Sequence, residues 1–457
     1  MQQRTINIAL LGCGVVGAGV AHILCEQREL IRQRTGLSFN IRHIVVRDLQ
    51  KNRGPRLRLQ QPLSVDPVAA INDPEVQIVV ELIGGTTAAG ELIELALRQG
   101  KHIITANKSL LASRGPELFA IAKRHNASIA FEASCGGGIP IINALIHGLV
   151  ANRIDALVGI INGTCNFILT KMTRSGASYA DALAEAQQAG FAEADPAMDV
   201  SGRDAAQKLA LLAGLAFNAL VKESDIHIEG IDTIEPADIE FARELGYVIK
   251  LLAIAERSPG NSPAAGHGGG STGLDAPITL RVHPTLVHKD DVLAEVSGSF
   301  NAISVYGHAL GHALFYGRGA GQMPTASAVV ADLVSTALGL TPAAFAALNI
   351  FPDTTPPASV LPFEQLQSRY YLRLMARDEP GVLAQVTRIL GTHKISLSAI
   401  LQHEANNGQS VPVVITTHRA NEGAMQRALK EIAALSPIAP PTVCLRIIDQ
   451  PKEFLGS

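Results

Sequence analysis

The chain begins with a short apolar run, Thr5–Leu11, that breaks at Gly12-Cys13-Gly14-Val15-Val16-Gly17 and continues as a helix-like pattern to about Gln33. A run of that length, a glycine turn and a 3.6-residue period predict strand, turn and helix in succession. Strand-length apolar runs recur at Asn40–Val46, Gln77–Leu82, His102–Thr105 and Ser128–Phe131, separated by helix-like stretches such as Ala88–Gln99 and Ser109–His125. Regular alternation of this kind predicts an α/β domain with a parallel, doubly wound sheet over residues 1–132.

From residue 133 the segments lengthen. Ile139–Val150 is apolar, Ile154–Ile161 is strand-like, Tyr179–Ala189 and Gly202–Leu220 are helical, and Ile278–His283 and Ala302–Tyr306 are strand-like. Residues 133–316 are therefore expected to form a second, α+β domain. Phe315-Tyr316-Gly317-Arg318-Gly319-Ala320-Gly321 then leads into the helical Thr325–Gly339, and residues 317–340 are expected to complete the first domain. Glycine-rich Ser258–Thr272 reads as a surface loop, and Pro-rich Thr341–Pro362 as a linker occupying 341–368. The rest, 369–457, reads strand, turn at Asp378-Glu379-Pro380-Gly381, helix to His393, strands Ile395–His403 and Val411–Thr416, helix Asn421–Leu435 and strand Thr442–Ile448. That is a βαββαβ unit, small but able to fold alone.

Composition narrows the function. Of 457 residues 47% are apolar and 17% charged, the net charge is −3 and there is no Trp, so the chain has cores to bury and no basic or stacking surface for nucleic acid. A small molecule is the expected partner. Five scattered cysteines without CxxC spacing argue for a reducing, cytoplasmic address rather than a disulfide or zinc framework. The uncharged stretch Ala133–Asn152 has the length of a membrane span, but its glycines and Pro140 make it buried globular chain. Leu10-Leu11-Gly12-Cys13 resembles a lipoprotein box, but its apolar lead starts only at Ile6, too short for a signal core of about 7–15 residues.

Two constellations carry chemistry. In Gly12-Cys13-Gly14-Val15-Val16-Gly17, Gly12 permits the tight turn, Gly14 lets a pyrophosphate approach the backbone, and Gly17 lets helix and strand pack closely, as in a Rossmann dinucleotide site. The second strand ends Val46-Arg47-Asp48, with Lys51 and Arg53 beyond. An acid there suits the ribose hydroxyls of NAD and a base suits the 2′-phosphate of NADP, so NADP is expected with NAD tolerated. The second constellation is Gly190-Phe191-Ala192-Glu193-Ala194-Asp195-Pro196, Asp199 and Gly202–Lys208. Asp204 and Lys208 are four apart, on one face of a largely apolar helix. An ordinary surface ion pair is the plain reading. A buried pair is costly unless used, and a lysine held near carboxylates can exchange a proton with a carbonyl/alcohol couple.

Taken together, Ala9–Val20, Thr105-Ala106-Asn107-Lys108, Glu132-Ala133-Ser134, Asn162-Gly163-Thr164, Gly190–Pro196, Gly202–Lys208 and Gly317–Ala328 resemble homoserine dehydrogenase, in order and over residues 1 to about 340. Asp378–Leu383 resembles an ACT domain, the amino-acid-sensing module of many bacterial members. The resemblance implies NAD(P)-dependent interconversion of L-homoserine and L-aspartate 4-semialdehyde, on the route to threonine, methionine and isoleucine. It implies Lys208 as acid/base residue with Asp204 as partner, Glu193 and Asp199 on the substrate ammonium, and Gly163 and Thr164 amides on its carboxylate. Lys108 would lie between substrate and nicotinamide, with Thr105 and Gly321 by the cofactor. A monovalent cation, usually sodium, would sit on Glu132 and the carbonyls of Cys135, Gly137 and Ile139, with Cys135 standing where valine is common. The resemblance also implies that residues 133–316 bind substrate and dimerise. The form expected is monofunctional, a homodimer or homotetramer, and the tail a detachable regulator sensing L-threonine.

Two rival readings are weaker. Ala133-Ser134-Cys135 resembles the nucleophile segment of phosphorylating aldehyde dehydrogenases, but Gly136-Gly137-Gly138 follows instead of Thr-Thr-Asn. A non-catalytic NADP sensor would lack turnover. His308 and His312 have the spacing of a helical metal pair, but Gly307 and Gly311 interrupt it.

Overall fold

The computed structural model describes residues 4–51, 62–258, 276–349, 357–403 and 410–449. They fall into two compact units, one of Met1–Leu157, Ala205–Ile226 and Asn301–Ala358, the other of Val158–Asp204, His227–Phe300 and Ser359–Ser457. The strands are β1 (Arg4–Leu11), β2 (Leu37–Val45), β3 (Leu63–Ser64), β4 (Ile78–Glu81), β5 (His102–Thr105), β6 (Ile129–Ala130), β7 (Ile154–Ile160), β8 (His227–Ile228), β9 (Tyr247–Arg257), β10 (Ile278–His288), β11 (Phe300–Gly307), β12 (Gly311–Arg318), β13 (Gln367–Arg377), β14 (Leu397–Gln402), β15 (Ser410–Thr417), β16 (Ala420–Asn421) and β17 (Ile438–Ile447).

In the first unit β1–β6 form a parallel sheet ordered β3-β2-β1-β4-β5-β6. This is the doubly wound Rossmann order, and the chain reverses direction across the sheet between β1 and β4, where such folds open a crevice for ligand. Ile8, Leu10, Val80 and Ile104 from the sheet pack with Val20 and Leu24 of helix Val15–Glu26 and with Ala326, Val329 and Leu333 of helix Gln322–Ala337. Each such side chain contributes about 1.5–3 kcal/mol on burial. A helix late in the sequence thus covers the first strands.

In the second unit the order is β9-β10-β17-β13-β15-β14. β9 and β10 pair antiparallel from Ile278↔Arg257 to His288↔Tyr247. The last four form the βαββαβ tail. Alternate residues of β13, Tyr370, Leu372, Leu374 and Ala376, join Val386, Leu390, Met425, Ala428 and Ile432 of the helices Val382–Thr392 and Glu422–Ala433 in one core. The period of two sends Tyr371 and Arg373 to the opposite face. There the Tyr371 hydroxyl donates to Asp238 Oδ1 at 3.1 Å, Arg373 donates to both Asp238 oxygens at 2.7 and 3.0 Å, and it also pairs with Glu235 at 2.8 Å.

The structure differs from the sequence reading at one segment and adds detail at others. The segment read as linker begins inside helix Leu340–Ala347, whose Phe345 is buried and meets the Phe119 ring edge-on, so apolar packing overrode the proline signal. The apolar stretch Ala133–Asn152 becomes a 3₁₀ turn, a short helix and a π-turn, and among the described residues no single helix is long and apolar enough to cross a membrane. The structure adds the strand β9, and residues 315–318, expected to lead into the next helix, lie in β12. Residues 259–272 of the glycine-rich loop, and Arg53, lie outside the described residues.

Candidate active site

The dinucleotide cradle is built by steric necessity. Gly12 has φ +100°, and a Cβ there would lie 2.6 Å from the Leu82 carbonyl oxygen, which no side chain could tolerate. A Cβ on Gly17 would lie 2.1 Å from Gly12 O, whereas around Gly14 there is open space. Gly14 caps helix Val15–Glu26 without a side-chain bond, and the first turn carries no acid, so its N–H groups and dipole face an anion unopposed. Cys13 is buried beneath the turn, Val16 is half-buried and Val15 is 69% exposed. Gly12 N donates to Val45 O at the end of β2, which brings the exposed Arg47 to the same rim. The backbone fits a pyrophosphate.

The rest of the first unit's set gathers at the same strand ends. Thr105 Oγ1 donates to Glu81 Oε2 at 2.6 Å, and Glu81 Oε1 accepts from the Ile83 and Gly84 amides, each at 2.9 Å. Lys108, half-buried, opens helix Lys108–Arg124, which Asn107 caps through Leu110 N. Gly321, at φ +124°, precedes helix Gln322–Ala337, and Gln322 Nε2 donates to Val15 O at 3.0 Å. Ser109 Oγ donates to Gln207 Oε1 at 2.8 Å, tying the start of the Lys108 helix to helix Arg203–Phe217 one residue before Lys208.

Glu132 is buried at the start of its own segment. Oε1 accepts from Ile142 N at 2.9 Å, Oε2 accepts from the backbone and side-chain nitrogens of Asn143, and Glu132 N donates to Asp332 Oδ2. Burial pushes this carboxyl above its usual range despite those donors. Gly136 and Gly137, with φ +73° and +59°, turn the chain between Cys135 and Ile139, and a Cβ on Gly137 would lie 2.5 Å from Gly319 O. Asn301, 1% exposed and pressed against Gly319, has neither amide atom in a hydrogen bond. A carboxylate, turn carbonyls and an orphaned amide are hard-oxygen donors of the type an alkali cation takes.

In the second unit Asn162 is the organising side chain. Its Nδ2 donates to Asp199 Oδ1 and to Asp204 Oδ2, both at 2.8 Å, while its Oδ1 caps helix Gly163–Ser175 by accepting from Cys165 N. Thr164 Oγ1 donates to Phe191 O at 2.7 Å and lies 3.3 Å from Asp199 Oδ2. Asp204 is buried, Asp199 half-buried and Glu193 exposed. Helix Arg203–Phe217 begins beside Asp204 and carries Lys208 one turn on, so the two share a face. The sequence assigns no role to Glu81, and none to Asn162 although it stands in the motif Asn162-Gly163-Thr164. The signal for Asn162 was its place before Gly163-Thr164, an N-cap position; Glu81 had none, since it closes an otherwise apolar strand.

The rival readings lose their footing in the geometry. Cys135 is buried, and burial pushes its thiol up to about 12 although Lys108 and Lys208 lie near enough to oppose the shift. A thiol so protonated is no nucleophile. His308 Nδ1 accepts from Arg153 N, whereas His312 bonds Ser304 Oγ and stacks on Tyr306. They sit at a turn and on β12, not on a helix.

Fold and cradle define a Rossmann dinucleotide-binding protein with a C-terminal βαββαβ module. Family models agree: homoserine dehydrogenase NAD-binding domain over residues 12–132, homoserine dehydrogenase over 140–334, and ACT domain over 370–436. The homoserine dehydrogenase of Pseudomonas aeruginosa is 41% identical over 97% of this chain and 99% of its own, and that of Helicobacter pylori 42% over 95% and 97%. The crystal structure of a homoserine dehydrogenase from Thiobacillus denitrificans superposes with a TM-score of 0.88 at 42% identity, covering 98% of this chain and 99% of that one. The chain belongs to the homoserine dehydrogenase family.

Proposed function

We propose that the chain oxidises L-homoserine to L-aspartate 4-semialdehyde and reverses the reaction, with NADP preferred and NAD accepted. The observation that carries this reading is Asn162 Nδ2 bonded at 2.8 Å to both Asp199 and Asp204, which fixes two carboxylates beside the helix that bears Lys208. Glu193 and Asp199 hold the substrate ammonium. The Gly163 and Thr164 amides, at a helix start whose third amide Asn162 already caps, receive its carboxylate. Lys208 Nζ takes the hydroxyl proton in oxidation and returns it to the aldehyde oxygen in reduction, with Asp204 as its partner along the helix. Gly12–Gly17 would hold a nicotinamide dinucleotide, with Arg47 at the 2′-phosphate and Thr105, Lys108 and Gly321 alongside, and the group would supply the hydride acceptor or donor. A related archaeal homoserine dehydrogenase, 26% identical with a TM-score of 0.59, was solved with NADPH, which supports the dinucleotide. Glu132 and the carbonyls of Cys135, Gly137 and Ile139 would hold a sodium ion, which would order that turn.

The functional divisions are 1–132 with 317–340, 133–316 and 369–457, in a cytoplasmic homodimer or homotetramer. Threonine binds near Asp378–Gly381, where Gly381 opens helix Val382–Thr392 at φ +91° with no side-chain cap and no acid in the first turn. Steady-state assays with homoserine, run with NADP and NAD separately and with added threonine, test the reading. NADP should give the higher kcat/KM and threonine should inhibit; absence of homoserine-dependent reduction with either cofactor would refute it. Truncation near residue 360 is a poor test, because it would strip Asp238, fully buried, of Arg373.

A further inference from the structure

We propose that Arg446, gripping Glu422 and Glu229, is a strut through which the C-terminal module positions the segment that carries Asp199 and Asp204. Arg446 lies on β17, 2% exposed, and donates through Nε and Nη2 to Glu422 at 2.9 and 2.7 Å and through Nη1 to Glu229 Oε2 at 2.7 Å. Glu422, fully buried, opens helix Glu422–Ala433 of the module and also accepts from the Tyr370 hydroxyl at 3.0 Å. The Arg446 guanidinium sits 4.9 Å from the Phe363 ring, which stacks on His227, and His227 Nε2 bonds Glu229 Oε1 at 2.7 Å.

Glu229 belongs to a short strap laid over the substrate segment. Its amide donates to Val282 O on β10, and two residues later Ile231 N donates to Val200 O at 2.9 Å. Contact is close enough to dictate sequence: a Cβ on Gly230 would lie 2.5 Å from Val200 O and 3.0 Å from Ser201 Cα, and one on Gly202 would lie 3.2 Å from Glu229 O. Gly202 N in turn donates to Asp199 O. A shift of Glu229 would therefore move the turn 199–202, and with it both carboxylates on Asn162. A charge pair that only fastened the module would have no reason to end on this strap. Arg373 supplies the comparison: it is as buried as Arg446 and also on the module's sheet, but it ends on Asp238 in helix Pro236–Glu244.

The kinetic part of this inference rests on the substrate roles proposed for Asp199 and Asp204; the structural part does not. The full-length Arg446→Met, Arg446→Lys, Glu229→Gln and Arg373→Met variants should be compared with wild type in homoserine and NADP kinetics and in amide hydrogen exchange across 199–204 and 229–231. Arg446→Met and Glu229→Gln should raise KM for homoserine about tenfold, within the usual range of coupling between sites, leave KM for NADP within about twofold, and lose exchange protection in both segments. Arg446→Lys should recover part of each effect, and Arg373→Met should lower the unfolding temperature without either. Wild-type protection at 199–204 in Arg446→Met, or equal losses in Arg373→Met, would overturn the strut. Should Arg446→Met not fold, Glu229→Gln decides alone, since it leaves Arg446 paired with Glu422. Wild-type homoserine turnover reports separately on the function, and exchange needs no substrate.

Discussion

Asn162 does with one amide what would otherwise take two cations: it holds Asp199 and Asp204 near each other while remaining neutral. Replacing it by Ala should remove one donor from each carboxylate and uncap helix Gly163–Ser175, losses of about 1–3 and about 1 kcal/mol respectively. The expected outcome is a KM for homoserine raised well over tenfold with KM for NADP little changed; an unchanged homoserine KM would remove Asn162 from the site. At the cradle, Arg47 is exposed beside the glycine turn, so Arg47→Ala should weaken NADP far more than NAD, because only NADP offers a phosphate to a guanidinium. Parallel changes in both KM values would mean that Arg47 does not read the phosphate. These residues differ in how far sequence exposes them. Gly12, Gly17, Asp204 and Lys208 announce themselves by spacing, since a turn or a helix face fixes what four residues apart can do. Asn162, Glu81 and Arg446 do not, because their partners lie far along the chain and only the fold brings them near.

The strands and helices of the parallel sheet were legible because alternation of apolar runs with helical periods leaves few arrangements open. The tail was equally legible, from turn residues at Asp378–Gly381 and two amphipathic helices. The misread elements have a common cause. Helix Leu340–Ala347 sits in a Pro-rich stretch, and burial of Phe345 outweighs that local signal. The strand β9 carries Lys250 in the middle of an apolar run, and that lysine is itself informative. It is buried, donating to Val296 O at 2.6 Å, and burial, helped by the charge of Arg174, lowers it from 10.5 to about 8 while Glu295 opposes. A base with a depressed folded value penalises folding fully below about 8, and the penalty fades as pH rises toward 10.5. Its full size is about 3 kcal/mol at most. Wild type should therefore gain stability relative to Lys250→Met between those limits, read as a converging pair of unfolding temperatures. A difference that stays constant from about pH 7 to about pH 10 would show that burial does not depress Lys250 in the folded chain.

Across the whole chain, the family was readable before the fold because its motifs occur in order over nearly the full length, although none is specific by itself. What sequence could not show is how the C-terminal module is joined to the strands before it. It suggested a detachable unit; the structure runs β17 beside β10 in parallel at Thr285↔Arg446 and Leu286↔Ile447 and sets Arg373 and Arg446 as buried ties. All of this presupposes that the chain transfers a proton and a hydride on homoserine, with Lys208 handling the proton. The direct measurement is homoserine-dependent NADP reduction by the purified full chain and by Lys208→Ala. Wild type should turn over, and Lys208→Ala should lose roughly 10²–10⁴-fold in kcat with cofactor affinity nearly unchanged; a Lys208→Ala enzyme that kept more than about half the wild-type rate would contradict the mechanism.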